Sequence, residues 1–245
     1  MRGTELCLNP SAVGRPTAST KPAWFARGAL TLAVLSVLLL AATSSAHGQT
    51  GKVLYSFKGG TDGANPYGGL ALEATGIYGS TQKDGPNGTG TVFNLSPSDK
   101  ETTVLGFGYP PSGAFPPAAL VFNAKGDLFG TTSNGGTSGG GTLFEVTPSG
   151  KEMILYSFTC GADACMPNQG LTIDGEGNLY GTSYSGGAYN GGTLFKATPS
   201  GKVTILLSFG SGVHPNGGLV FDAKGNLYGT TYGGGAHGLG TVFEY

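Results

Sequence analysis

The apolar positions of this chain fall in short runs with partial alternation, clearest in 202–209 (KVTILLSF) and 240–245 (GTVFEY). Runs of that length, rich in β-branched and aromatic residues, predict strands. Four of them recur in a fixed order. The first is Leu54-Tyr55-Ser56-Phe57, with counterparts ending at Phe107, Phe158 and Phe209. The second is centred on Leu70, Leu120, Leu171 and Leu219. The third is Ile77-Tyr78-Gly79, repeated from Leu128, Leu179 and Leu227. The fourth is Gly90-Thr91-Val92-Phe93, repeated from Gly141, Gly192 and Gly240. Gly141 and Gly192 are 51 residues apart, and Gly192 and Gly240 are 48 apart. A fixed period near 50 marks a repeat architecture, and kelch-type propellers lie in that range.

The segments between these runs read as turns. Thr147-Pro148-Ser149-Gly150 and Thr198-Pro199-Ser200-Gly201 set Pro early and Gly late, as a tight hairpin requires. Asp174 and Asp222 each stand three residues before a Gly, so their carboxylates can accept backbone N–H groups across the turn. The first copy, Glu73-Ala74-Thr75-Gly76, is one residue shorter, and a distorted hairpin is expected there.

One repeat therefore predicts a four-stranded antiparallel meander. The chain as a whole predicts an all-β fold, a β-propeller of four blades with about 50 residues each. The blades are expected at 69–107, 119–158 and 170–209, with a fourth that begins at Gly218 and stops at Tyr245, one strand short. The lone strand at 51–57 matches that deficit. Closure of the ring by this N-terminal strand would remove an exposed edge. The same surplus and deficit also fit two chains that exchange strands into an eight-bladed ring. A linear β-solenoid is the third reading, although it gives no reason for complementary ends.

The pattern GGL-x-x-D-x-x-GNLYGTT-x-x-GG-x-x-x-x-GTVF, complete in 218–243 and followed elsewhere by TPSG and LYSF, resembles the GloVer-type (Gloeobacter/Verrucomicrobia) tandem repeat of exported bacterial proteins. The resemblance covers about residues 51–245. It implies an exported repeat protein of uncharacterised role and no catalytic residues. Members are similar in having a signal peptide, many repeats and a variable C-terminal surface anchor. Against that resemblance, few repeats are expected here and no anchor after Tyr245.

Residues 1–46 are set apart as a signal peptide with an N-terminal extension, and 47–245 as the repeat domain. Arg2, Arg15, Lys21 and Arg27 precede an uncharged apolar run at 29–42. A run of that length suits a signal segment and is short for a membrane span. Ser44 and Ala46 place cleavage after Ala46, with an uncleaved anchor as the alternative. No membrane span is expected after cleavage, and the destination is extracellular or the cell envelope. The remaining nine basic and 13 acidic residues give a net charge of −4, and no Arg is among them. Nucleic-acid binding is excluded on that ground, because it needs a basic face. Cys160 and Cys165, five apart, predict a local disulfide in an exported protein. Further Cys or His ligands at metal-site spacing are lacking.

Residues shared by every repeat are assigned to the blade, since no single site could use all the copies. Asp174, Glu176 and Asp222 lack the ligand pattern of a calcium loop, and 137–141 lacks the GK[ST] of a phosphate loop. No cofactor or metal is expected. The loops that vary between repeats are the better candidates, at 82–87, 133–136, 184–190 and 232–237. Equivalent positions should lie on one side of the ring. Tyr184, Tyr189, Asn190, Tyr232 and His237 are the candidate ligand-binding residues there. They offer flat apolar faces and adaptable hydrogen bonds to a polysaccharide or an envelope protein. The loss of the only Trp, Trp24, with the presequence weakens the glycan reading. His47, His214 and His237 share no motif, and Asp62, Asp84 and Asp163 have no evident pairing. A non-catalytic binding module is therefore expected, with a structural scaffold and a carbohydrate-active enzyme as alternatives.

Overall fold

Each repeat folds as an antiparallel meander. In the second repeat the strands are Val121–Phe122, Leu128–Thr132, Thr142–Val146 and Glu152–Ser157, paired in chain order. The third repeats this with Thr172–Ile173, Leu179–Ser183, Thr193–Ala197 and Val203–Ser208. The first has Ala71–Glu73, Gly76–Lys83, Thr91–Leu95 and Glu101–Gly106, with Ala64–Pro66 added along Gly76–Lys83. The last has three strands, Val220–Phe221, Leu227–Thr231 and Thr241–Glu244. The computed structural model describes residues 51–108 and 111–245. The expected signal segment and its cleavage point lie outside them. Among the described residues, no helix is long and apolar enough to cross a membrane.

Two expectations are not met. Among the described residues, 51–58 carry no strand and close none of the sheets. The LYSF sequence has the propensity of an outer strand, but a strand forms only against an edge within hydrogen-bonding reach. The short first turn closes a regular hairpin rather than the distorted one expected, with Ala71 opposite Tyr78 and Leu72 opposite Ile77. Glu73 pairs directly with Gly76, which adopts a φ of 143°.

The turns show why Asp precedes the Gly. Asp222 Oδ1 accepts the N–H groups of Lys224 and Asn226, and its Oδ2 accepts the Asn226 amide. Asp174 makes the same set with Glu176 and Asn178. In the second repeat acid and amide trade places: Asn123 accepts from Lys125 and Asp127 N–H and donates to the Asp127 carboxylate. Burial works to raise the Asp174 pKa, but hydrogen bonds from Asn178, Tyr180 and Glu176 outweigh it and hold the carboxyl below its ordinary range. The Asn226 N–H, helped by Lys224, does the same for Asp222. A depressed native pKa adds stability above the unfolded-state value and loses it as pH falls through the native one. The melting temperature is therefore expected to drop below about pH 4. Asp174→Asn, which keeps the turn as Asn123 does, should flatten that drop in calorimetry across pH 2–6.

Inside each sheet a hydroxyl pair ties the second strand to the third. Thr81 and Thr91, Thr132 and Thr142, Ser183 and Thr193, and Thr231 and Thr241 stand 2.7–2.9 Å apart. Between sheets the core is aromatic and aliphatic. Phe107 meets Phe144, Phe158 meets Phe195 and Phe209 meets Phe243, each pair joining one repeat to the next at 5.0–5.2 Å between centroids.

Candidate functional site

A feature that recurs ahead of every repeat builds the site. Asn65, Phe115, Met166 and His214 each precede a proline, and each has a left-handed φ between 48° and 57°. A non-glycine residue in that region is strained by about 1–3 kcal/mol and persists only when its surroundings fix it. For three of the four the surroundings do so from both sides. Phe115, Met166 and His214 donate their N–H groups to Thr89, Gly140 and Gly191 of the preceding repeat. Their carbonyls accept from Ser133, Tyr184 and Tyr232 of their own repeat.

This clamp sets the direction of the chain two residues later. Tyr67, Pro117, Asn168 and Asn216, one from each repeat, line a cavity of about 530 Å³. Gln82, Ser133 and Tyr184, which open three of the variable loops, line it as well. So do Asn134, Met166 and Gln169. Gln169 donates its amide to Asn216 Oδ1 at 2.8 Å and links the third and fourth repeats across the wall. The Tyr184 ring stacks on His214, with centroids 4.4 Å apart and planes 7° off parallel. His214 Nδ1 lies 2.8 Å from the Tyr184 carbonyl, so the ring pair is held at both ends. Asn168 Oδ1 is enclosed without a hydrogen-bond partner. The lining carries amides, hydroxyls and aromatic faces, and no carboxylate.

The sequence model of the Gloeobacter/Verrucomicrobia repeat matches residues 41–176 and 161–245. The chain belongs to the Gloeobacter/Verrucomicrobia repeat family. No curated protein sequence matches it. This member of the family is similar in fold to the extracellular domain of a one-component system from B. thetaiotaomicron. Identity is 16% and the TM-score 0.50, over 72% of this chain and 20% of that one. A streptogramin B lyase aligns at 17% identity and a TM-score of 0.49, over 75% of this chain and 55% of the lyase. PorZ, a surface component of the type-IX secretion system of Porphyromonas gingivalis, aligns at 20% and 0.49, over 81% and 27%. The chain thus spans about half the length of the lyase. It is an all-β repeat protein with β-propeller-like structural neighbours.

Of the candidate residues in the variable loops, Tyr184 lines the cavity. Tyr232 occupies the matching position of the last repeat and is exposed, as are Tyr189 and His237. Asn190 has a loop-building role, with a left-handed φ of 54° and its Oδ1 accepting the Gly186 N–H. Cys160 and Cys165 are joined as a disulfide. Asp62 and Asp163, which had no evident partner in sequence, accept the hydroxyls of Tyr55 and Tyr156 and the N–H groups of Lys58 and Thr159. The hydrogen bond to Asp62, with burial and its charge, pushes the Tyr55 pKa up to about 12. Among the described residues no three His, Cys, Asp or Glu side chains are grouped to hold a metal.

Tyr67, Pro117, Asn168 and Asn216 were not nominated from sequence. The signal for them is the X-Pro step five residues before each repeated Leu, as in Asn65-Pro66 ahead of Leu70.

Proposed function

We propose that the chain is an exported, non-catalytic propeller module of four blades that binds a neutral, hydroxyl-rich ligand, a polysaccharide, in the cavity shared by its repeats. One observation carries this reading: every repeat contributes to one cavity whose walls offer uncharged hydrogen-bonding groups beside the exposed faces of Tyr67 and Tyr184. Sugars are recognised by that combination, with rings laid on aromatic faces and hydroxyls on amides. A cavity without a carboxylate in its lining offers binding groups rather than the paired acids that glycoside cleavage uses. The four sheets are read as blades because each is a meander joined to the next by the same Phe–Phe contact.

The test is a pair of substitutions measured by retention on immobilised polysaccharide. Tyr67→Ala with Tyr184→Ala is expected to weaken binding at least about tenfold, the effect of losing central aromatic anchors. Unchanged melting would show that the fold is kept. Unchanged retention would remove the cavity from the account. Tyr189→Ala, outside the cavity lining, serves as the control.

A further inference from the structure

We propose that a second copy of this chain completes the array: the last blade of one copy docks on the N-terminal end of the other and takes that copy's 53–57 segment as its outer strand. The proposal rests on reading the sheets as propeller blades.

The three internal junctions define what a junction contains. Val92 and Phe107 of the first blade pack with Leu120, Leu128 and Phe144 of the second. Leu143 and Phe158 pack with Leu171, Leu179 and Phe195. Leu194 and Phe209 pack with Leu219, Leu227 and Phe243. The matching positions for a fourth junction are Val242 and Phe57 on one side, and Leu70, Ile77 and Phe93 on the other.

Most of that fourth junction is already in place on the N-terminal side. Phe57 lies on Phe93 with centroids 4.9 Å apart, the contact the outer-strand phenylalanines make elsewhere. Tyr55 donates to Asp62 as Tyr156 does to Asp163, and packs on Phe57 as Tyr156 packs on Phe158. The segment is therefore arranged as an outer strand, with no strand beside it. Leu70 is 64% exposed, whereas Leu120, Leu171 and Leu219 are 4–6% exposed. An apolar cavity of about 290 Å³ is lined by Phe57, Leu70, Ile77 and Phe93, the counterparts of the residues that enclose Leu143 and Leu194.

The residue that fits this socket is at the other end of the array. Val242 is 77% exposed, whereas Val92, Leu143 and Leu194 are wholly buried. Among the described residues, none pairs with the edge of Thr241–Glu244 that would take an outer strand. Phe57 holds the 53–57 segment against its own first blade, and within one copy the fourth junction is not made, since Leu70 and Val242 are both exposed. A second copy brings the two ends together. The contact joins unlike surfaces, and two copies meeting at both ends close a ring that leaves no edge free.

The register follows from the complete blades. Leu143 faces Tyr156 and Leu194 faces Leu207, so Val242 should face Tyr55. Directly opposed residues bring their Cβ atoms to about 4.5–5.5 Å, within reach of a disulfide after a small adjustment. Copies carrying Tyr55→Cys and copies carrying Val242→Cys are co-expressed and oxidised. The expected result is a disulfide-linked pair formed at least about tenfold more than with either variant alone, and a light-scattering mass of two chains. Val242→Asp should give a single-chain mass with an unchanged circular dichroism spectrum, since Val242 is exposed in one copy. A single-chain mass, with an internal crosslink in the Tyr55→Cys/Val242→Cys double variant, would overturn the second copy and keep the blade reading. Absence of the crosslink in both arrangements would overturn the blade register itself. Crosslinked particles heavier than two chains would overturn the two-copy ring.

Discussion

Phe144→Ala is expected to cost about 3–5 kcal/mol of stability, the range for truncating a fully buried aromatic ring. The ring is wholly buried, lies 5.0 Å from Phe107 across the first junction, and fills the space left by Gly130 on the neighbouring strand. Rigid strands on both sides prevent the junction from collapsing into the hole. In a repeat array, stability is roughly a sum of intrinsic and nearest-neighbour terms. Weakening one junction should therefore lower the denaturation midpoint and divide one transition into two. A loss under about 1 kcal/mol with an unchanged single transition would mean that this junction is not what couples the repeats.

The second large effect is Gly141→Ala. Gly141 has a φ of 95°, and an added Cβ would meet the Thr132 carbonyl oxygen and, at 2.9 Å, Pro167 Cδ of the next repeat. Gly90 and Gly192 are enclosed in the same way by Thr81 and Pro116, and by Ser183 and Pro215. Backbone strain and a clash with backbone combine at one atom, so a cost above about 3 kcal/mol is expected. Gly225→Ala is the control. Its φ is 91°, yet nothing lies within 4 Å of the added Cβ, so strain acts alone at about 1–2 kcal/mol. Equal losses at the two positions in chemical denaturation would show that packing around the Gly-Thr step is looser than described.

The meander was legible because its marks are local. The Leu-Tyr-Gly strands, the Gly-Thr steps and the Asp turns each carry their reason in adjacent residues, and Asp222 with Asn226 shows it directly. The site was less legible because its defining feature is a backbone state. Asn65, Phe115, Met166 and His214 share a left-handed φ and a following proline, but no side-chain chemistry. A search for recurring residue types passes over them, and with them Tyr67, Asn168 and Asn216 two residues on. Tyr184 was found because the loop it opens varies between repeats. The unformed strand at 51–57 has the same physical origin. Its sequence matches a paired outer strand, and pairing depends on where an edge lies in space.

The shared cavity is expected to bind a neutral glycan without cleaving it. The decisive measurement passes the purified chain over a panel of insoluble and immobilised polysaccharides and analyses the supernatant for products. Retention on at least one neutral polysaccharide, release by the soluble form of the same sugar, and no new oligosaccharides are the expected results. Released sugars, or binding to no member of the panel, would contradict that reading.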